Sequence, residues 1–176
     1  LEGYLVQDHD LIEKAVRLAK LNGLKVCIDL ASYNIVEEHR SFFLELIRNQ
    51  VDIVFANNQE AEALTGEQPG EAAEILGGYA DIAIVKTGAE GSLIFADGTL
   101  HKIGIRPSKS IDTTGAGDMY ASGFLYGLVN GQPLDTCGNI GAILSGRVIE
   151  VLGAKMDEST WENIRRQVRA IMEDEQ

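Results

Sequence analysis

Cysteine is scarce in this sequence, and basic charge is in deficit. The 176 residues include two cysteines, Cys27 and Cys137, far apart and without metal-type spacing. That excludes a disulfide framework and a cysteine-built zinc site. Both lie in apolar stretches and read as buried free thiols in a reducing cytosol. Lys and Arg number 15 against 27 Asp and Glu, a formal net charge of −12. Such a surface disfavours nonspecific nucleic-acid binding and docking on anionic membranes. No stretch is long and apolar enough to span a bilayer, and no signal peptide is visible, so the expected location is cytoplasmic. Internal repeats, low-complexity tracts and a dividing linker are also missing. What is present suits one soluble globular domain: 45% hydrophobic and 24% charged residues, in a length that supports a proper core.

Hydrophobic periodicity alternates between helix and strand. Residues 10–22 carry Leu11, Ile12, Ala15, Leu18 and Ala19 on one helical stripe, with Asp8 or Asp10 as cap and Asn22-Gly23 as the end. A short apolar run, 24–30, reads as a buried parallel strand ending in Asp29. In an open parallel sheet that places Asp29 near the crevice where ligands gather; a turn or cap role is the plain alternative. Residues 40–49 form a second helix, with Phe43, Leu44 and Ile47 inward, and 51–56 a second strand. Residues 71–77 form a short helix and 81–86 a third strand. Strands at 92–96 and 100–105 flank Asp97-Gly98, a strong hairpin signal. Helices follow at 115–130, with a small-residue face of Ala121, Gly123 and Gly127, at 134–152, and at 160–173 with Trp161, Ile164, Val168 and Ile171 on one face. The opening residues 1–6 read as the tail of a strand entering a loop. The pattern is α/β: a mainly parallel sheet flanked by helices, with an antiparallel excursion at one edge. No strand is followed by Gly-x-Gly-x-x-Gly, which makes a dinucleotide-binding oxidoreductase a poor reading.

Chemistry concentrates in Asp112-Thr113-Thr114-Gly115-Ala116-Gly117-Asp118. Its first half suits a turn and its second half opens a helix, with two glycines at the junction. Backbone N–H groups at a helix N-terminus, with no side chain in the way, attract anions. Asp118, in the first turn, would face whatever they hold. Upstream stand Asn57-Asn58-Gln59-Glu60, directly after a strand, and Lys86-Thr87-Gly88-Ala89-Glu90-Gly91. Taken alone, the first is a capping-box variant and the second an ordinary strand turn.

In this order the three strings resemble the signatures of the ribokinase-like (PfkB-type) carbohydrate and nucleoside kinases. The resemblance covers nearly the whole chain. It implies that Asp118 is the base that takes a proton from an acceptor hydroxyl, and that Gly115, Ala116 and Gly117 form an anion hole for the transferred phosphoryl group. It implies that Asn57 and Glu60 organise waters around Mg²⁺, with Glu62 solvent-facing. Gly88 and Gly91 would let backbone approach the ATP phosphates, and Lys86 would add charge. Asp112 and Thr114 would line a monovalent-cation site for K⁺. An anionic nucleotide on so acidic a chain needs a local positive field, from backbone dipoles, Mg²⁺ and a few lysines. Asn139 is a further contact considered near the adenine ring, without commitment.

Family members are longer and carry another half before this point, with a lid. Residues 1–176 are therefore read as the C-terminal nucleotide-binding and catalytic part of a single ribokinase-like domain. The expected activity is ATP-dependent phosphorylation of a sugar or nucleoside hydroxymethyl group. Asp29-Leu30-Ala31-Ser32, where many relatives have Asp-x-Asn, and Tyr120, where many have Phe, lean toward an adenosine-like acceptor. The alternative is a nucleotide-binding fragment or sensor without catalysis. A homodimer is a further expectation, since a truncated sheet would expose apolar surface and a strand edge.

Overall fold

The computed structural model describes residues 1–173. They form two compact units: Leu1–Gly88 with Leu93–Leu100, and Ala89–Ser92 with the described part of His101–Gln176.

In the first unit, α1 (His9–Leu21) starts where the Asp8 carboxylate accepts the Leu11 N–H at 3.0 Å, and it stops at Asn22. Its buried stripe is Ile12 and Val16, one i,i+4 step, with Ala19 packed beside them. Leu11 and Leu18, expected on that stripe, are 48% and 49% exposed because they lie off this row. Three strands then alternate with helix pairs: β1 (Cys27–Asp29), α2 (Tyr33–Glu38), α3 (Arg40–Gln50), β2 (Ile53–Asn57), α4 (Asn58–Thr65), α5 (Pro69–Gly77) and β3 (Ile82–Lys86). β1 pairs with β2, and β2 with β3, both in parallel. β4 (Ser92–Ala96) and β5 (Thr99–Ile103) follow, and the strand order is β1-β2-β3-β4-β5. The β4–β5 turn is Asp97-Gly98 at φ +50 and +73, the positive pair a two-residue hairpin demands. The α/β architecture read from the sequence, a mainly parallel sheet flanked by helices, is the observed one.

Three local differences have physical causes. β1 is shorter than the apolar run 24–30, because Leu24 and Lys25 face solvent and the Val26 N–H donates to the Asp52 carboxylate at 2.6 Å. The opening residues are not a strand tail: Glu2 makes a single bridge to Asp29, then Gly3–Gln7 turns into a 3₁₀ helix. A Cβ on Gly3 would lie 2.3 Å from the Leu30 carbonyl oxygen, so the chain crosses the end of β1 in close contact. α2 was not foreseen; its six residues are too few to show a helical period.

The second unit is helical: α6 (Ala116–Val129), α7 (Leu134–Val148) and α8 (Glu158–Glu173). Ile140, Ile143, Leu144 and Val148 of α7 bury against Met156, Ile164 and Val168, with Trp161 and Ile171 half-buried alongside. α7 ends at Val148 rather than 152 because the Ile149 carbonyl accepts N–H bonds from Ile111 (2.7 Å) and Asp112 (3.2 Å), and Gly153 turns the chain at φ +72. α6 and α7 touch through the small-residue face: a Cβ on Gly123 would meet the Gly141 Cα and the Ile140 carbonyl at 2.9 Å. A Cβ on Gly127 would meet Cys137 at 3.0 Å.

Because both obstacles at Gly123 are backbone, Gly123→Val forces the helices apart. It should lower unfolding free energy by about 1–3 kcal/mol, the range for overpacking. Urea denaturation of the two proteins checks it; a loss within error would mean that the helices are not in contact there.

Candidate active site

Three parallel strands of the first unit deliver polar residues at their carboxyl ends: Asp29 on β1, Asn57 on β2 and Lys86 on β3. The register places Asn57 opposite Lys86. Asn57 caps α4 in a reciprocal box. Its Oδ1 accepts the Glu60 N–H at 3.0 Å, while the Glu60 carboxylate accepts the Asn57 N–H at 2.7 Å and its Nδ2–H at 2.6 Å. Glu60 is 3% exposed. Burial pushes its carboxyl above the ordinary range, opposed by the Asn57 N–H bond and then by the Lys86 charge. Glu62 is exposed, as expected. The capping role of the Asn-x-x-Glu string is thus realised, and each Glu60 oxygen keeps a second lone pair.

Lys86 is already engaged. Its Nζ donates to the Asp29 Oδ2 at 2.7 Å, and the pair is mostly buried, with side chains 16% and 20% exposed. The other Asp29 oxygen accepts the Ala31 N–H at 3.1 Å. Sequence reasoning had both residues near the strand ends but missed their partnership; strand register is the signal that joins them. Gly88 is exposed at φ +61 with open space where a Cβ would stand. Gly91 has its own structural need: at φ +99, its Cβ would fall 1.9 Å from the Ile103 carbonyl oxygen.

In the second unit the Asp112–Asp118 string forms a turn leading into α6. Asp112 Oδ1 accepts the Thr114 N–H (2.9 Å) and hydroxyl (2.7 Å), and its Oδ2 accepts the Gly153 N–H (2.8 Å). The Thr114 and Gly153 amides, with the Thr114 hydroxyl, hold the Asp112 carboxyl below its usual range. Gly115 is the N-cap of α6 at φ +77, where a Cβ would also meet the Ala154 Cβ at 2.8 Å. Of the amides in the expected anion hole, the Ala116 N–H donates to the Thr113 carbonyl at 3.1 Å. The Gly117 and Asp118 N–H groups have no acceptor among the described residues and stand free at the helix N-terminus. Asp118 lies in the first turn with its carboxylate exposed.

Tyr120 is internal. Its hydroxyl shares a 2.6 Å hydrogen bond with the buried Ser92 hydroxyl, and burial pushes its pKa up to about 12. Asn139 accepts from the Arg106 guanidinium at 3.0 Å. Cys27 is half-buried and Cys137 buried, both free thiols, and burial pushes each pKa up to about 11. No helix among the described residues is long and apolar enough to cross a membrane.

Comparison with known proteins gives one family, described as pfkB family carbohydrate kinase, matching residues 2–161. A cytidine kinase from Thermococcus kodakarensis is 34% identical over 147 residues, 80% of this chain and 52% of that protein. A 5-dehydro-2-deoxygluconokinase from Bacillus licheniformis is 31% identical over 148 residues, 80% of this chain and 46% of that protein. The crystal structure of an adenosine kinase from Sinorhizobium meliloti superposes with a TM-score of 0.87 at 38% identity, covering 94% of this chain and 53% of that one. The chain spans about half the length of the curated relatives it matches.

Two outcomes follow from this geometry. Gly115→Ala combines a left-handed φ with a contact to Ala154, so it should cost about 1–3 kcal/mol in urea denaturation. Glu60 behaves differently with pH. Its folded carboxyl holds a proton that the unfolded chain has released above its ordinary 4.5, so its contribution makes stability fall as pH rises through that window. Glu60→Gln should remove that downward slope above pH 4.5 while lowering stability overall by about 1–2 kcal/mol through the damaged cap. Parallel stability–pH curves for the two proteins would refute the assignment.

Proposed function

The chain belongs to the pfkB family of carbohydrate kinases, and from that we propose that it carries the nucleotide-binding and catalytic part of an ATP-dependent phosphotransferase acting on a hydroxymethyl group of a sugar or nucleoside. The observation that carries this reading is the start of α6: an exposed Asp118 carboxylate in the same first turn as the free N–H groups of Gly117 and Asp118.

Asp118 removes the proton of the acceptor hydroxyl as its oxygen forms a bond to the γ-phosphorus. The bond from that phosphorus to the β–γ bridging oxygen breaks, and ADP leaves with the electron pair. The free amides and the positive end of α6 stabilise the charge on the phosphoryl oxygens. Gly115 sets the αL turn that aims those amides, and the Ala116 amide secures the turn through Thr113. Gly88 leaves backbone open to phosphate on the Lys86 loop, and Lys86 adds charge from its place beside Asp29.

The donor chemistry suits Mg²⁺ held through water: Glu60 offers carboxylate oxygens with lone pairs left over, backed by Asn57. When bound, Mg²⁺ offsets phosphate charge. Asp112 and Thr114 offer hard oxygens of the kind K⁺ takes, although Asp112 already accepts three hydrogen bonds.

For the acceptor, a nucleoside of the adenosine type is placed slightly ahead of a sugar. Asp29-Leu30-Ala31-Ser32 and the similarity to proteins named cytidine kinase and adenosine kinase support it. Tyr120 lends little, since its hydroxyl is spent on Ser92.

Phosphate transfer from Mg-ATP by the full-length protein, assayed against adenosine, cytidine, ribose, fructose and 5-dehydro-2-deoxygluconate, should single out one acceptor. Asp118→Asn should lower kcat by about 10²–10⁴-fold with ATP affinity nearly intact. Near-normal turnover in the variant would remove Asp118 from the mechanism. ATP binding without transfer to any acceptor would favour a non-catalytic nucleotide-binding role.

A further inference from the structure

Two histidines of the first unit have no part in the proposed reaction. His9 is the first residue of α1, and His39 joins α2 to α3. The His39 backbone is tied on both sides, its N–H donating to the Ile35 carbonyl and its own carbonyl accepting from Phe43, both at 3.0 Å. His9 Nε2 lies 3.3 Å from His39 Nδ1. The His9 ring stacks on Phe42, with centroids 3.8 Å apart and planes 3° from parallel, and meets His39 edge-on at 5.3 Å. Stacking therefore fixes the plane of one imidazole, and the helix junction fixes the root of the other.

A separation of 3.3 Å is long for an N–H···N hydrogen bond. It matches the span of two nitrogens on one tetrahedral ion: metal–nitrogen distances of about 2.0–2.1 Å at the tetrahedral angle put the nitrogens ~3.3–3.4 Å apart. We infer that His9 and His39 form a two-imidazole site for a borderline divalent transition-metal ion, Zn²⁺ or its neighbours Ni²⁺ and Cu²⁺, which would clasp the start of α1 to the α2–α3 junction. Neutral imidazole suits these ions, whereas Mg²⁺ prefers oxygen, so the site is chemically separate from any kinase metal. On binding, a ring that carries its proton on the facing nitrogen shifts it to its own other nitrogen, both facing lone pairs go to the metal, and two of its waters leave. His9 is exposed and His39 half-buried, so the remaining positions stay open to water. Among the described residues no third His, Cys, Asp or Glu completes a cluster. The affinity is accordingly below that of a closed four-ligand site. The net charge of −12 draws cations to the surface.

Calorimetric titration of the full-length protein with Zn²⁺ tests the site, in millimolar Mg²⁺ and without nucleotide. One equivalent should bind. His9→Gln and His39→Gln should each weaken binding by about tenfold or more, a scale reached even by losses in a metal site's outer shell. His101→Gln should bind as wild type. Zn²⁺ should also raise the Tm of the wild type and not of the first two variants. Neither ring fills the core, so circular dichroism should show both variants folded. No Zn²⁺ binding by the wild type, or unchanged binding in either variant, as the free thiols would give, overturns the proposal.

Discussion

One carboxylate holds the second unit in register. Asp112 gathers the amide and hydroxyl of Thr114 with one oxygen and the amide of Gly153 with the other. The first pair shapes the turn that delivers Gly115 into its left-handed conformation. The last bond ties that turn to the segment leaving α7, and the Ile149 carbonyl reinforces it by accepting from Ile111 and Asp112. The beginning of α6 and the end of α7 are thereby laced together, while Gly123 and Gly127 let the bodies of the two helices meet. The aim of the Gly117 and Asp118 amides depends on that lacing. A carboxylate accepting several N–H bonds stays ionised easily, so the anchor does not weaken near neutral pH.

For the proposed reaction, a chain of net charge −12 would have to hold an anion with little help from side chains. The only lysine in the recognised strings is bound to Asp29. The backbone supplies the rest: unpartnered amides at a helix N-terminus carry positive potential without adding a cationic residue. Glycine at the junction keeps side chains out of their way. An acidic overall composition is therefore compatible with the proposed phosphate-handling site.

Much of this was legible in the sequence, because strong periods and turn signals were consistent with one another. The alternation of helix and strand, the Asp97-Gly98 hairpin and the small-residue face of α6 each rest on local chemistry. The misses were of a different kind. α2 is too short to show a period, and the end of α7 is decided by Ile149 bonding to residues far back in the chain. Likewise, the packing need for glycine at position 91 comes from the Ile103 carbonyl where a Cβ would be, which its own string does not show. The Asp29–Lys86 pair needs strand register, which no single-sequence pattern carries. Ala116 reads as a free amide until the preceding turn closes through Thr113.

The duty proposed for Lys86 is compatible with the one observed. Removing one member of a mostly buried ion pair costs about 3–5 kcal/mol, so the bond to Asp29 is not one a ligand would readily displace. An ammonium has three N–H donors, however, and that bond uses one. The others can meet a phosphate oxygen while Asp29 fixes where the nitrogen stands. Charge balance limits how much this can contribute. Two carboxyl groups, those of Asp29 and Glu60, stand near one ammonium, so carboxyl oxygens outnumber the cation at these strand ends. Such a place favours a cation over a bare phosphate. The α6 N-terminus, with its free amides, favours the opposite. The strand ends of the first unit thus suit a cation, and the free amides at the start of α6 suit an anion. Lys86 serves there mainly to keep two neighbouring carboxylates from repelling each other.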